Sequence, residues 1–167
     1  MEMEHVEGRR IYLEPIDLIG GRLLLTDLPG FFRKYNLPRD HQFPSVGLKA
    51  SLPFYLEKYE KENVNLGIGP WIIRNKQQRK LIGEVIVNKD VNENSLDIGY
   101  YIIPHARNKG YATEAVDVIT QWIFSLNYQL VTASCEKKNI PSQKVLYKNG
   151  FKKVTMDKSF IFFEKRG

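Results

Sequence analysis

The sequence of 167 residues has one cysteine, Cys135, and only three histidines. A single cysteine excludes a disulfide within the chain, and these few, scattered residues offer no metal-ligand spacing, so no metal is expected. The N-terminus has no signal-like apolar segment, and no apolar run is long enough to cross a bilayer. We therefore expect a soluble protein of a reducing compartment, the cytoplasm, with no membrane partner.

Two phosphate-binding motifs are also missing. The chain has neither the Gly-x-x-x-x-Gly-Lys-Ser/Thr of a P-loop nor the three glycines of a dinucleotide fingerprint. Its formal net charge of +6 and pI near 9.3 favour an anionic ligand. The sequence suggests that the charged residues are scattered along the chain, and no RNP-like or helix-turn-helix pattern occurs. Nucleic acid is therefore not an expected partner.

What the chain does contain is typical of a soluble globular protein. Hydrophobic residues make up 43% of it and charged residues 26%. The length suits one domain that buries its own core without disulfides or metal. Because no repeat, low-complexity segment or linker divides the chain, residues 1–167 are predicted to form a single domain.

The first part of the chain is predicted to be mainly helical, from about residue 15 to residue 65. It follows a strand over Arg9–Pro15 that ends at a proline. Two short helices are expected next, then a proline-rich loop over Leu37–Gly47. The sequence SLPFYLEKYEKEN (51–63) then carries helical spacing at four positions, Leu52, Tyr55, Leu56 and Tyr59.

After Gly67 the pattern changes to strands. Six strand-like runs are separated by turn residues: WIIR, KLIGEVIVN, SLDIGYYII, QLVTASC, FKKVTM and SFIFFEK. The polar loop over Asn88–Ser95 predicts an antiparallel hairpin. Two helices interrupt the later strands, one over about Ala112–Leu126 and one over Asn139–Gly150. The predicted fold class is therefore α+β, with helices packed on a mostly antiparallel sheet.

The stretch PHARNKGYATEAV (104–116) links a predicted strand to a predicted helix. The backbone N–H groups that open a helix form an anion site, and Gly110 lets the chain approach a phosphate closely. Arg107 and Lys109 add positive charge. Taken alone, the same residues also fit a turn glycine with solvated basic neighbours.

Two motifs together indicate a family. The segment 107–112 matches the acyl-CoA loop Arg/Gln-x-x-Gly-x-Gly/Ala, and NIPSQKVLYKNGF (139–151) follows at the family's separation. The chain resembles the GCN5-related N-acetyltransferases (GNAT), most closely the branch of ribosomal-protein N-terminal acetyltransferases. The resemblance in motifs covers Leu81 to Phe151.

This resemblance implies a sheet that splays into a V between Ser95–Ile103 and Leu130–Cys135. An acyl-CoA, most simply acetyl-CoA, would enter the V, within an acyl-CoA-binding core of about residues 70–151. The backbone N–H of Ile102 would stabilise the tetrahedral oxyanion. The implied cofactor-binding residues are Ile102, Ile103, Arg107, Asn108, Lys109, Gly110, Tyr111, Ala112, Thr113, Asn139 and Ser142.

The resemblance also implies proton-transfer groups. Many relatives have a tyrosine where this chain has Leu146, and Tyr147 would be turned by about 100° on the helix. Ser142 is the predicted general acid, although it also suits a helix cap. Glu84 is the first candidate for the general base, because a carboxylate among apolar strand residues is costly to bury. Asp97, Glu136 and a water relay stay open.

The predicted activity is transfer of an acetyl group from acetyl-CoA to a primary amine, by direct attack in a ternary complex. The alternative is a non-catalytic acyl-CoA sensor, as a monomer or homodimer. The acceptor, whether a protein N-terminus, a polyamine or an amino sugar, is not determined by the sequence. It is expected to bind near Leu28–Leu52. In that stretch, the aromatic residues suit either an apolar wall or the core: Phe31, Phe32, Tyr35 and Phe43. The acids Asp27 and Asp40 suit either amine binding or loop structure.

Overall fold

The computed structural model describes residues 5–61 and 66–167. The last four residues of the predicted helical region, 62–65, therefore lie outside the described residues. Within the described part, no helix combines the length and the apolar composition needed to span a membrane. The described elements, in chain order, are β1 (Val6–Glu7), β2 (Ile11–Pro15), α1 (Leu18–Thr26), α2 (Leu28–Lys34), α3 (Val46–Lys61), β3 (Pro70–Asn75), β4 (Leu81–Lys89), β5 (Ser95–Ile102), α4 (Tyr111–Ser125), β6 (Leu130–Glu136), α5 (Ile140–Lys148), β7 (Lys152–Met156) and β8 (Phe160–Arg166).

The eight described strands form one sheet in the order β1-β2-β3-β4-β5-β6-β8-β7. Every neighbouring pair is antiparallel except β5 and β6, which run parallel. The hairpin between β4 and β5 pairs Lys89 with Leu96, as the polar loop predicts. The α+β class and the mostly antiparallel sheet are thus confirmed.

Helices cover both faces of the sheet. Trp71, Ile72 and Ile73 on β3 are all fully buried, which identifies β3 as a central strand covered on both sides. On one face, Tyr55 of α3 donates a hydrogen bond to Asn88 of β4. On the other face, α5 contacts Tyr100 of β5 through Ser142.

Helix α3 begins earlier than the sequence predicts. It starts at Val46 instead of about Ser51, because the Ser45 hydroxyl accepts the Leu48 N–H at 3.0 Å and so caps the first turn. Pro53 lies inside the helix and lacks the N–H of an ordinary helical residue.

The sheet splays between its two parallel strands. Strand β5 pairs with β6 only from Ser95–Ile98 to Leu130–Ala133. Beyond Ile98 and Ala133 the two strands run on without pairing and diverge, so the backbone of the second half of β5 faces a gap. The family resemblance predicts a V at this position.

Candidate active site

A cleft of about 660 Å³ opens at the V. The end of β5, the loop before α4, the first turn of α4 and one face of α5 form its walls. Its lining residues are Tyr100, Tyr101, Ile102, Ala106, Arg107, Asn108, Gly110, Tyr111, Ala112, Thr113, Asn139, Pro141, Ser142, Lys144, Val145 and Lys148.

Most of the predicted cofactor-binding residues meet in this cleft, but two do not line it. Ile103 is fully buried and its N–H donates to the Ile82 carbonyl, while the Lys109 ammonium donates to the His105 carbonyl at 3.2 Å. The sequence prediction also missed lining residues on α5. These residues are Pro141, Lys144, Val145 and Lys148. They are separated by three or four positions, which places them on one face of the helix, and this spacing is the sequence signal that could have identified them.

The N-terminus of α4 has the backbone geometry of an anion site. Asn108 (φ 61°) and Gly110 (φ 80°) adopt the left-handed conformation, which folds the loop back before the helix. The first helical bond runs from the Glu114 N–H to the Gly110 carbonyl at 3.2 Å. The N–H groups of Tyr111, Ala112 and Thr113 precede it and have no acceptor within the helix.

Helix α4 differs in this respect from the other α-helices among the described residues. No side chain caps it. The others begin at a side chain that accepts a backbone N–H, namely Asp17 for α1, Asp27 for α2, Ser45 for α3 and Asn139 for α5. The partial positive charge at the α4 N-terminus is therefore available to an external anion.

Arg10 holds the loop in this shape. Its guanidinium donates to the Lys109 carbonyl at 2.8 Å and to the Glu114 carboxylate at 2.8 Å, and lies 4.7 Å from the ring centre of Tyr111. The Glu114 side chain is therefore only 14% exposed. A contact across more than 90 residues of sequence has no local signal.

Arg107 lies at the cleft but is not free. Its Nε donates to the Ile102 carbonyl at 2.8 Å, and its guanidinium carbon lies 5.5 Å from the ring centre of Tyr101. These contacts fix the end of β5 next to the anion site. The positive charge of Arg107 stays at the cleft surface, where it adds to the field of the helix.

The Ile102 N–H points into the gap. The neighbouring Ile103 N–H donates to Ile82 of β4, and donor directions alternate along a strand. The Ile102 N–H therefore points away from β4, toward β6, where β5 has no partner. It is a preset donor on the wall of the cleft, which is the geometry that an oxyanion requires.

Ser142 forms a hydroxyl pair with Tyr100 in the same cleft. Their oxygens are 2.7 Å apart, and burial raises the pKa of Tyr100 to about 12. Ser142 does not cap its helix, because the Asn139 side chain accepts the Ser142 N–H at 3.1 Å and takes that role. The Ser142 hydroxyl therefore has no capping role, and it contacts the Cys135 thiol as well as the Tyr100 hydroxyl.

The neighbouring positions on α5 point elsewhere. Leu146 is fully buried. Tyr147 is 53% exposed and packs edge-on against Phe163 at 5.3 Å between ring centres. Tyr147 does not line the cleft. This agrees with the rotation of about 100° that separates its side chain from the preceding position on the helix.

The buried Glu84 carboxylate is hydrogen-bonded to Ser45. It is 1% exposed, and both carboxylate oxygens accept hydrogen bonds from Ser45, one from the backbone N–H and one from the hydroxyl. Burial raises its pKa from 4.5 to about 7, against the opposing effect of these hydrogen bonds. Ser45 itself is partly exposed, and neither Ser45 nor Glu84 lines the cleft.

The other two carboxylates lie at opposite ends of the V. Asp97 is at the closed end, where it accepts from the Thr132 hydroxyl at 3.0 Å, and burial raises its pKa to about 6. Glu136 ends β6 at the open end and is exposed. Neither carboxylate lines the cleft.

The raised pKa of Glu84 predicts a pH-dependent stability. Between pH 4.5 and 7 the folded protein keeps a proton that the unfolded chain releases, so the free energy of unfolding falls as pH rises through this window. Glu84→Gln should flatten the decline by roughly 2–3 kcal/mol in total. Urea unfolding at pH 5 to 8 measures the effect, with the exposed Glu93→Gln as control. Parallel curves for wild type and Glu84→Gln would contradict the raised pKa.

The aromatics predicted to wall the acceptor site are core residues. The exposed fractions of Phe31, Phe32, Tyr35 and Phe43 are 0, 3, 6 and 1%. They stack on one another beneath α2 and the loop that follows. The core interpretation is therefore correct, and the apolar-wall interpretation is wrong.

The two acids predicted to hold the amine have structural partners. Asp27 caps α2 by accepting the Gly30 N–H at 3.0 Å. Asp40 accepts the Gln42 N–H at 2.9 Å and contacts His105 at 2.7 Å, which ties the loop before α3 to the turn before the anion site. Tyr101 adds a second tie, donating to the Gln42 carbonyl at 3.2 Å.

Comparison with known proteins agrees with this geometry. Residues 22–152 match the family described as "Acetyltransferase (GNAT) domain". The chain is 32% identical over 112 residues to an uncharacterized N-acetyltransferase, YjdG, of Bacillus subtilis, an alignment that covers 66% of this chain and 67% of YjdG. The chain belongs to the GNAT acetyltransferase family and is an acyl-CoA-dependent N-acyltransferase.

Solved structures share the fold. A putative ribosomal-protein-serine acetyltransferase from Vibrio cholerae superposes with a TM-score of 0.67 at 17% identity, covering 99% of this chain and 98% of that one. RimJ of Mycobacterium smegmatis, in complex with CoA-disulfide, superposes with a TM-score of 0.66 at 16% identity, covering 98% and 87%. At these identities the likeness concerns the fold.

Proposed function

We propose that the protein transfers an acetyl group from acetyl-CoA to a primary amine, by direct attack in a ternary complex. The observation that carries the proposal is the juxtaposition of two unused sets of backbone donors in one cleft. The uncapped N-terminus of α4 suits the CoA diphosphate, and the unpaired edge of β5 suits the pantetheine and thioester. RimJ, a structure of the same fold, contains a CoA derivative.

The diphosphate lies on the N–H groups of Asn108 to Thr113 in this proposal, and the chain's basic residues reinforce the site. Lys144 and Lys148 line the cleft from α5, opposite the loop. Their charges favour the phosphates of CoA without needing to desolvate fully. Pantetheine pairs with the free edge of β5 as an added strand would, which brings the thioester carbonyl to the Ile102 N–H.

The reaction needs two proton transfers. An aliphatic amine has a pKa of about 10.4 and must lose a proton before it attacks. Glu84 receives this proton through Ser45: the amine proton passes to the Ser45 oxygen as the Ser45 hydroxyl proton passes to Glu84. A carboxylate with a pKa of about 7 suits this role at neutral pH. Ser45 thus touches the substrate, and Glu84 acts behind it.

The leaving thiolate receives its proton from the Tyr100–Ser142 pair. Both residues line the cleft, and their 2.7 Å contact lets one hydroxyl replenish the other. The tyrosine that many relatives place on the last helix is absent here, and Tyr100 supplies a phenol from β5 instead. Ser142 therefore keeps its predicted role, now with a partner.

A protein N-terminus is the proposed acceptor class, since the fold is shared with a ribosomal-protein acetyltransferase. The reducing cytoplasm, where a free thiol such as Cys135 persists, is the proposed location. The alternative function is an acyl-CoA sensor that binds without turnover.

One experiment separates these functions. Calorimetric titration with acetyl-CoA and with free CoA is followed, in the same sample, by measurement of thiol release with small amines and peptides. We expect micromolar binding and thiol release with at least one acceptor class. Binding without release from any amine would support the sensor, and no binding of either compound would contradict the proposed site.

A further inference from the structure

Part of the sheet face that carries Glu84 and Tyr101 is exposed among the residues that the structure describes. Thr132 of β6 contacts Asp97 on this face, and side chains alternate along a strand, so Ser134 and Glu136 share the face. On β8, register places Phe162 beside Ser134 and Phe160 beside Glu136. The four residues Ser134, Glu136, Phe160 and Phe162 are exposed and are called the open face below.

The two phenylalanines distinguish the open face from an ordinary solvent-facing sheet. Phe160 is 40% and Phe162 38% exposed, whereas their neighbours Ile161 and Phe163 on the opposite face are 8% and 1% exposed. Both aromatics lie toward the open end of the V, where β5 and β6 have diverged. An apolar surface therefore borders the gap in which the thioester is proposed to lie.

Positive charge is concentrated in the C-terminal part of the chain, which contributes Phe160 and Phe162 to the open face. Residues 137–167 contain nine Lys and Arg against two Asp and Glu, an excess of seven positive charges. Residues 1–136 contain 16 against 17, an excess of one negative charge. The positive charge is therefore not scattered along the chain, as the sequence first suggested, but gathered on α5, β7, β8 and their connections.

Two of these lysines belong to the open face and its rim. Register pairs Lys152 of β7 with Glu164 of β8, which alternates with Phe163 and so points to the same side as Phe162. Lys158 lies in the exposed turn just before Phe160. Strand β7 is the outermost strand of the sheet on this side and is exposed along its whole length.

We propose that the open face binds the acceptor, an extended acidic polypeptide whose N-terminal amine reaches into the V. The inference rests on the proposed acetyl transfer and names its substrate class. Glu136 attracts the amine at the open end, the two phenylalanines take apolar side chains, and Lys152 and Lys158 attract carboxylates farther along the peptide. Each charged group on the open face and its rim thus meets a peptide group of opposite charge.

Sheet dimensions specify where the acidic residues should be. Strands are spaced about 4.8 Å apart, so β7 lies about 10 Å from β6, and an extended peptide advances about 3.3 Å per residue. A peptide that starts at the V and crosses β8 therefore brings its third to fifth residues over Lys152 and Lys158. Acidic side chains at these positions should matter more than acidic side chains farther on.

The test compares three peptides that differ only at residues three to five, which are acidic, neutral amides or lysines. With acetyl-CoA at low salt, we expect kcat/KM for the acidic peptide to exceed that for the neutral one by about tenfold, and the lysine peptide to be poorest. The double variant Lys152→Glu/Lys158→Glu should invert this order. Lys58→Glu, an exposed lysine on α3, is the matched control and should keep it.

The outcomes separate this inference from the proposed function. Equal turnover of the three peptides would overturn the acidic specificity while leaving acetyl transfer in place. Binding of a single-stranded RNA oligomer that the double variant loses, with equal turnover of the peptides, would assign the lysines to nucleic acid and also overturn it. A homodimer in sedimentation that Phe162→Ala dissociates would assign the open face to a second copy. Absence of transfer to every amine would remove both proposals.

Discussion

Gly110→Glu is expected to abolish measurable CoA binding while the protein stays folded. The substitution places a carboxylate at the turn where the proposed diphosphate meets the α4 N-terminus, so repulsion and bulk act together. A loss of at least about 3 kcal/mol, or more than a hundredfold in Kd, should follow. Calorimetric titration with CoA measures it, and circular dichroism with urea unfolding reports the fold.

Gly110→Ala is the matched control for backbone strain. Gly110 has φ +80°, which any L side chain adopts at a cost of about 1–2 kcal/mol, and an added Cβ would lie 3.1 Å from Arg10 Nη2. Both variants should lose similar stability, but alanine should weaken CoA binding far less than glutamate. Unchanged CoA affinity in Gly110→Glu would refute the placement of the diphosphate, and equal losses in both variants would attribute the effect to strain.

Tyr100→Phe and Ser142→Ala are each expected to lower kcat by about a hundredfold, the lower part of the range for a general acid. The affinity for CoA should change less than threefold, because neither hydroxyl is proposed to hold the phosphates. The two hydroxyls act as one pair, so the double variant should be little worse than the poorer single one. Steady-state thiol release and titration with CoA provide the two quantities.

The control for this pair is Tyr147→Phe, which removes a tyrosine hydroxyl one residue beyond the family's usual position. Because Tyr147 packs on Phe163 outside the cleft, its variant should keep wild-type kcat. Turnover that survives both Tyr100→Phe and Ser142→Ala would show that the thiolate takes its proton from elsewhere. A loss in Tyr147→Phe instead would mean that α5 rotates when the ligand binds.

The sequence alone determined the features that depend on local pattern. Apolar runs between turn residues indicated the strands, the polar loop indicated the hairpin between β4 and β5, and apolar residues at helical spacing indicated α4. Each of these patterns is contained within a few neighbouring residues. The anion loop was also recognisable, because Gly110, its basic neighbours and the first turn of α4 are contiguous.

The tertiary structure decided which of several similar residues meet. Tyr100 and Ser142 are 42 residues apart, and Ser45 and Glu84 are 39 apart, so no local spacing predicts either contact. The same limit applies to the phenylalanines: Phe43 is buried although it lies in a proline-rich loop, while Phe160 and Phe162 are exposed although they lie in an apolar strand. Burial depends on which faces the helices cover, and that is set by packing over the whole chain.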